Sequence, residues 1–320
     1  MTVLNKTPPY PATAAPAPRK TRGAGRRRGD HQREAYVFLT PWILGAIGLT
    51  VGPMVVSLYL SFTEYDLFTE PRWVGFDNFV HMFTEDDRYL QSVKVTLLYV
   101  LVAVPLKMIV SLLIAMALNT RAGSNGFYRA AFYAPSLLGA SVAAALVWRA
   151  MFTEGGTVNE LLDGIGWETP SWIDDPSYTI WSVILLAVWQ FGAPMVIFLA
   201  GLKQIPRELY EAAEVDGANP VRKFWHITLP MLSPVIFFNL VLEAIHAFQV
   251  FTPAFVIGGG RGGPADSALV YTLYLYQAGF EDFEMGYASA MAWVLLVVIG
   301  IVTAVIFRSA RLWVFYGDKA

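Results

Sequence analysis

The chain has 320 residues, of which 55% are hydrophobic and 15% are charged, with a formal net charge of −2 and a mean hydropathy of +0.47. This composition is too apolar for a soluble globular protein, so it predicts an integral membrane protein. The absence of cysteine excludes disulfides, thiolate metal sites and a cysteine nucleophile. The four histidines show no metal-ligand spacing, so we predict no metal site on this chain. They are His31, His81, His226 and His246.

The N-terminal segment is rich in proline, alanine, glycine and arginine and has no apolar periodicity. A segment of this kind cannot bury a core, so we predict that residues 1–34 form a disordered basic tail. Basic residues next to a first membrane span usually set topology, so we predict no nucleic-acid partner for them. Residues 35–320 then form a single membrane domain.

Six apolar stretches are long enough to span a bilayer, since a helix needs about 20 residues to cross about 30 Å of hydrocarbon. They run approximately over residues 36–60, 93–118, 129–152, 178–201, 231–255 and 287–308. Backbone polar groups in hydrocarbon must be paired within the segment, so these stretches are predicted to be helices. The predicted fold class is all-α, with six transmembrane helices.

The orientation of the spans follows from the lysine and arginine residues between them, because positive charge stays in the cytoplasm. The N-terminal tail holds eight of these residues, the second and fourth loops hold two and four, and the C-terminal segment holds three. The alternate loops together hold four. We therefore predict a multi-pass protein with both termini in the cytoplasm.

Two charged residues fall near the middle of predicted spans, Lys107 in the second and Glu243 in the fifth. An ionised group at that depth costs a few kcal/mol or more and indicates a functional site, so we predict that the two pair or line a wet cavity. The fifth span also carries Asn239, His246 and Gln249, and positions 239, 243 and 246 share one helix face. These five residues are the candidate pathway for a polar solute. Weaker candidates on other spans are Tyr99, Trp189 and Gln190.

The polar segment 203–230 lies between the fourth and fifth spans and is longer than a helix connection needs. Good helix formers after a proline predict a helix over Pro206–Val215, which ends near Gly217. A second short helix is predicted from Asn219, and the Leu229–Pro230 step is predicted to begin the fifth span. Two short helices that meet at a glycine and expose apolar side chains are suited to insertion into a groove of another protein.

The spacing in this segment resembles the signature loop of ABC importer permeases. The matching residues are Glu211, Ala212, Ala213, Asp216, Gly217, Ile227, Leu229 and Pro230. Shorter runs elsewhere are similar to the carbohydrate-uptake branch of that family, the permeases of the maltose, glycerol-3-phosphate and multiple-sugar type. These runs are VGFDNF at 74–79, GGTVNELL at 155–162, GGP at 262–264 and MGYASAM at 285–291.

The resemblance implies the type I importer fold in a bacterial or archaeal cell membrane. It implies four kinds of partner: a second permease subunit that is a different chain, two cytoplasmic ATPase subunits, an external solute-binding protein and membrane lipid. It also implies that segment 203–230 is the coupling loop that docks into a cleft of the ATPase. The chain has no G-x-x-x-x-G-K-[ST] motif, so we expect no cofactor on it and expect ATP and Mg to be bound by the partner.

The expected function is therefore that of a permease subunit for a sugar or sugar-like solute. An ion-gradient-driven secondary transporter of a small polar solute is the main alternative, because such proteins also carry ionisable residues at midplane. A membrane scaffold or receptor is a second alternative, in which the loop serves only for attachment. No spacing of a nucleophile and a base indicates an enzyme.

Overall fold

The computed structural model describes residues 28–119, 125–138, 141–167 and 170–315. These residues are mostly helical, and the β-structure among them is one antiparallel hairpin of two short strands. The prediction of an all-α fold is confirmed. The chain divides into two compact units, residues 1–55 and 56–320.

The described part of the first unit begins with helix α1 (Arg28–Gly45), which continues through a π-helical turn (Ala46–Val51) into helix α2 (Gly52–Leu60). The stretch from Tyr36 to Leu60 is long and apolar enough to span a membrane, in agreement with the predicted first span. The helix begins earlier than expected, so residues 28–34 of the predicted disordered tail are helical. The rest of that tail, residues 1–27, lies outside the described residues.

The second unit continues with the hairpin of strands β1 (Thr63–Glu64) and β2 (Arg72–Trp73). Its helices up to the predicted coupling loop are α3 (Asp77–Thr84), α4 (Asp87–Leu118), α5 (Asn125–Leu138), α6 (Val142–Phe152), α7 (Thr157–Asp163), α8 (Thr179–Trp189) and α9 (Gly192–Gln204). Its remaining helices are α10 (Arg207–Val215), α11 (Pro220–Lys223), α12 (Leu229–Phe248), α13 (Thr252–Ile257), α14 (Tyr271–Tyr276) and α15 (Met285–Trp313). Helix α4 packs against α8, α9 and α12 at the centre of the core.

Four helical stretches in the described residues are long and apolar enough to cross a membrane, and the number rises to six if each of two bent pairs counts as one span. The continuous stretches are Tyr36–Leu60, Asp87–Leu118, Pro220–Phe248 and Met285–Trp313. Helix α5 forms one bent pair with α6 and α7, at 97°, and α8 forms the other with α9, at 41°. The third and fourth predicted spans are thus broken rather than continuous.

The break between α8 and α9 is stabilised by serine side chains from neighbouring helices. Ser111 Oγ donates to the carbonyl of Phe191 at 3.0 Å, and Ser136 Oγ donates to the carbonyl of Gln190 at 3.1 Å. Ser136 Oγ also accepts from the N–H of Ala193 at 3.1 Å. Backbone groups freed by a break inside a membrane need such partners, so the two serines allow the fourth span to bend.

The fifth span differs from the prediction at both ends. It begins at Pro220 and passes through a π-helical turn (Phe224–Thr228), so the Leu229–Pro230 step lies inside a continuous helix instead of starting it. The π turn ends two residues before Pro230, whose missing N–H removes an intrahelical hydrogen bond in any case. The span ends at Phe248 and not near 255, because the helix is interrupted at residues 249–251 and a separate helix, α13, begins at Thr252 with Pro253 in its first turn.

Asp86 connects the start of α4 to two later elements. Its side chain caps α4 by accepting from the N–H of Tyr89 at 3.0 Å, and it accepts from the hydroxyls of Tyr274 at 2.6 Å and Tyr287 at 2.5 Å. Burial opposes ionisation of this carboxyl, but the three hydrogen bonds outweigh burial and hold its pKa below the ordinary value of 3.8. The ionised group therefore stabilises the contact of α4 with α14 and α15.

We expect Asp86→Asn to lower the thermal unfolding midpoint at pH 7 and to lose this effect in acid. A lowered folded-state pKa adds stability above the unfolded value of about 4, and that stability disappears as the pH falls through the folded value. Unfolding of the purified chain in detergent, followed across pH, measures the difference. Asp87→Asn at the exposed neighbouring position is the control, and equal pH profiles for the two variants would contradict the role of Asp86.

We expect Gly192→Ala to destabilise the chain by about 1–3 kcal/mol, the usual cost of overpacking. A Cβ atom at Gly192 would lie 2.7 Å from the carbonyl oxygen of Phe132 and 2.8 Å from Cα of Tyr133, where α9 crosses α5. The measurement is the thermal unfolding midpoint in detergent. Gly300→Ala, whose added methyl meets nothing within 4 Å, is the matched control. Unchanged midpoints in both variants would refute the close approach.

Candidate functional site

A cavity of about 480 Å³ lies among α4, α5, α8, α12 and residues 249–253. The polar side chains that line it, apart from one charged pair, include Tyr99, Ser136, Gln190, His246 and Gln249. The cavity lies at the break between α8 and α9, because Ser136 and Gln190 belong both to the break and to the cavity wall. A polar cavity at this position would hold a hydroxyl-rich solute through hydrogen bonds.

The charged pair in the cavity wall is the one that the sequence suggests. Lys107 Nζ on α4 lies 2.9 Å from Glu243 Oε2 on α12, and the two side chains are only 16% and 12% exposed. The predicted pairing of these residues is confirmed. Each charge offsets the cost of burying the other, and the pair connects two central helices across the cavity.

The other predicted pathway residues on the fifth span divide into two groups. His246 and Gln249 line the cavity, although Gln249 caps the end of α12 instead of lying within it. Asn239 does not line the cavity. It is buried, and its Nδ2 has no hydrogen-bond partner within the described residues.

The weaker candidates also divide. Tyr99 and Gln190 line the cavity, whereas Trp189 packs against Trp148 with ring centroids 5.8 Å apart.

Arg149 is a functional candidate that the sequence analysis missed. It lies on α6, inside the predicted third span, and its Nη1 donates to the carbonyl of Val256 at 3.1 Å, in the last turn of α13. A cation near a helix C-terminus is favourable, so Arg149 stabilises α13, whose first residues form part of the cavity wall. The signal was available, because Arg149 is a charge within an apolar run, as Lys107 is.

The predicted coupling loop turns at Gly217. Helix α10 begins at Arg207 with Pro206 before it, close to the predicted start, and ends at Val215. Gly217 has a φ of +73°, its N–H donates to the carbonyl of Glu214, and the next N–H donates to the carbonyl of Ala213. This left-handed C-terminal cap favours glycine at position 217 because other residues are strained there.

Further contacts connect α10 to the long helix that follows. Asn219 caps α11 by accepting from the N–H of Arg222 at 2.8 Å. The hydroxyls of Tyr210 and Thr228 lie 2.8 Å apart, and Lys223 Nζ lies 2.8 Å from Glu214 Oε1. These contacts join the loop to the start of the fifth span.

The signature residues of the loop differ in exposure. Glu211, Ala212, Asp216 and Gly217 are exposed, whereas Ala213, Ile227, Leu229 and Pro230 are half-buried. The loop also exposes four large apolar side chains. These are Leu209, Val215, Val221 and Trp225. Exposed apolar side chains beside a carboxylate form a surface suited to a protein partner.

The loop and the cavity are connected by one helix. The helical stretch Pro220–Phe248 begins at the Asn219 cap and carries Glu243 and His246 near its other end. At 1.5 Å per residue, about 36 Å of helix separates Asn219 from Glu243. One continuous helix therefore joins the loop to the cavity wall.

Comparison with known proteins identifies the family. The family model described as binding-protein-dependent transport system inner membrane component matches residues 86–313. The chain is 53% identical to the probable ABC transporter permease protein YesP of Bacillus subtilis, over 89% of this chain and 92% of that protein. It is 33% identical to the arabinooligosaccharides transport system permease protein AraP of Halalkalibacterium halodurans, over 84% of each chain.

The fold is shared with a crystal structure of a bacterial alginate ABC transporter in complex with an alginate pentasaccharide-bound periplasmic protein. The TM-score is 0.76 at 24% sequence identity, over 89% of this chain and 97% of that one.

We expect Lys107→Met and Glu243→Gln each to lower the yield and thermal stability of the folded chain, while the double variant recovers part of the loss. Breaking a buried pair leaves one charge uncompensated, which typically costs about 3–5 kcal/mol. Thermal unfolding of the four proteins in detergent gives the coupling between the two residues. The exposed pair Arg72 and Glu64, neutralised in the same way, is the control and should show little coupling. Additive losses for Lys107 and Glu243 would contradict the interaction.

Proposed function

We propose that this chain carries a sugar or sugar-like solute. The chain belongs to the family of binding-protein-dependent transport system inner membrane components and is a membrane-embedded permease subunit of an ATP-driven importer. The observation that carries the proposal is the polar cavity around Lys107 and Glu243, at the break of the fourth span. The named substrate of a relative, arabinooligosaccharides, supports a carbohydrate. Alternating donors and acceptors in the cavity suit sugar hydroxyls, and Tyr99 and Phe251 offer aromatic faces.

We assign the residues of the cavity wall separate roles in the pathway. His246, Gln249 and the pair of Lys107 and Glu243 bind the solute directly in this conformation. Asn239 belongs to the continuation of the pathway, because it lies one turn before Glu243 and its buried Nδ2 has no acceptor among the residues that the structure describes. Movement of α12 would bring this amide to the solute.

The exposed residues of segment 203–230 are the proposed contact with a cytoplasmic ATPase subunit. Glu211 and Asp216 provide polar contacts, and Ala212 permits close approach of the partner. Ala213, Ile227, Leu229 and Pro230 stabilise the loop from beneath, because they are half-buried. Closure of the ATPase would move the loop and, through the helix Pro220–Phe248, change the packing of the cavity wall.

The remaining proposed partners are those of an importer of this family. Two ATPase subunits bind ATP and Mg, a second permease subunit of different sequence completes the membrane domain, and an external binding protein delivers the solute. The alginate-transporter structure with its periplasmic protein supports the last of these. Both termini lie in the cytoplasm of a bacterial or archaeal cell by the count of positive residues.

The first test is affinity purification of the chain from its native membrane in mild detergent, with mass spectrometry of the proteins that accompany it. We expect an ATPase and a second six-span chain, and we expect less of the ATPase to be recovered when Glu211 and Gly217 are replaced together. Uptake of labelled sugars by the purified complex in liposomes then identifies the solute. Recovery of the chain alone, with uptake driven by an ion gradient, would overturn the proposal.

We expect Gly217→Val to reduce coupled uptake at least tenfold while ATP hydrolysis continues. A β-branched residue is strained at the positive φ of this position, so the turn between α10 and α11 would open. The measurement is the ratio of solute taken up to ATP hydrolysed in proteoliposomes.

The matched control is Gly75→Val, because Gly75 has a φ of +66° and, like Gly217, no atoms near an added Cβ. It carries the same backbone strain outside the loop and should leave the coupling ratio unchanged. Normal coupling in Gly217→Val, or equal loss in both variants, would count against the role of the loop.

A further inference from the structure

A second groove lies on the opposite side of α9 from the core, between α5 and α9, and has a volume of about 620 Å³. Its walls are apolar and include the small residues Ala130, Ala193 and Ala200. Its only charged lining residues are two cations, Arg129 and Lys203, so among the described residues that line it none is acidic. None of the residues assigned to the solute cavity or to the loop signature lines this groove.

The two cations lie at one end of the groove. Helices α5 and α9 run antiparallel, because Gly192 at the start of α9 lies against Ser136 near the end of α5. Arg129 is near the start of α5, and Lys203 is in the last turn of α9. Both therefore lie where the chain leaves the span toward the coupling loop, which is the proposed cytoplasmic surface of the membrane.

Neither cation forms an ion pair with another described residue. No hydrogen bond or ion pair of either side chain occurs within the described ranges, and Arg129 Nε is buried without an acceptor. A guanidinium with an incomplete set of hydrogen bonds, beside a second cation, favours an anionic group with several oxygen acceptors. A small rotation of the Arg129 side chain would direct its free donors into the groove.

The length of the groove fits a lipid. The stretch of α9 that lines it, from Ala193 to Lys203, rises about 15 Å, which is half of the hydrocarbon thickness of about 30 Å. An acyl chain of one leaflet would occupy this apolar stretch while its headgroup lies at the two cations. Basic pockets between membrane helices on the cytoplasmic side are suited to anionic headgroups.

We propose that the groove between α5 and α9 is a binding site for an anionic phospholipid of the cytoplasmic leaflet, with the phosphate held by Arg129 and Lys203. A helix of the second permease subunit is the competing occupant. The complementary charge favours the lipid, because an uncharged helix would leave both cations without a counterion at the membrane surface.

The test is native mass spectrometry of the purified, assembled transporter with added phosphatidylglycerol or phosphatidylcholine of matched acyl chains. We expect phosphatidylglycerol to bind more tightly, and the double variant Arg129→Gln with Lys203→Gln to weaken its binding at least tenfold. Arg308→Gln with Arg311→Gln is the control, since it removes two exposed cations from the same side of the membrane, outside the groove. Equal binding of the two lipids, or equal loss in both double variants, would overturn the site.

Three further variants keep the result interpretable. Lys203→Gln alone alters an exposed residue, so it reports on binding even if Arg129 is needed for folding, and it should weaken phosphatidylglycerol binding. Arg129→Lys should retain most of the binding because it keeps the charge. Ala200→Phe should exclude the lipid by filling the groove without changing charge. If Ala200→Phe instead prevents assembly with the second permease, and no lipid binds the wild-type complex, the groove is a subunit interface and the proposal is wrong.

Discussion

Backbone hydrogen bonding inside hydrocarbon is the constraint on which this structure depends. A membrane helix can bend only where other groups replace the hydrogen bonds that it loses. Ser111 and Ser136 do this for the carbonyls of Phe191 and Gln190, and the solute cavity lies at the same place. The bend, the cavity and the close contact of Gly192 with α5 are therefore parts of one arrangement. A polar cavity is formed where polar side chains are already required by the backbone.

The buried ion pair has a related effect on the cavity. Lys107 and Glu243 come from helices that are distant in sequence, and together they place strong hydrogen-bonding groups in the wall without a net charge. A pair of this kind contributes little net stability compared with apolar residues, so its position in the cavity wall suits a role in specificity or in switching. Here α12 carries one partner, and α12 is also the helix that continues from the loop.

Much of this architecture is predictable from sequence because hydropathy and charge report on the solvent of each segment. Such patterns predict the spans and the loop helix at Pro206–Val215. They also predict that Lys107 and Glu243 pair or line one cavity. The break at Gln190 does not, since the serines that permit it lie on two other helices. The sequence also does not predict that the helix continues unbroken through Pro230. A proline normally indicates a helix start, and the π-helical turn before it has no sequence pattern of its own. Asn239 shares the helical period of Glu243, but periodicity cannot show where the cavity ends.

The continuity of Pro220–Phe248 restricts how this region can change in evolution. Each residue added to an α-helix rotates everything beyond it by about 100° and advances it by about 1.5 Å. An insertion or deletion of one residue between the Asn219 cap and Glu243 would thus rotate the loop away from its side of the membrane domain. The helix itself would still form, because every side chain would remain compatible with it. Substitutions are tolerable along this stretch in a way that changes of length are not. The proposed function therefore constrains the number of residues between the loop and the cavity more tightly than it constrains their identity.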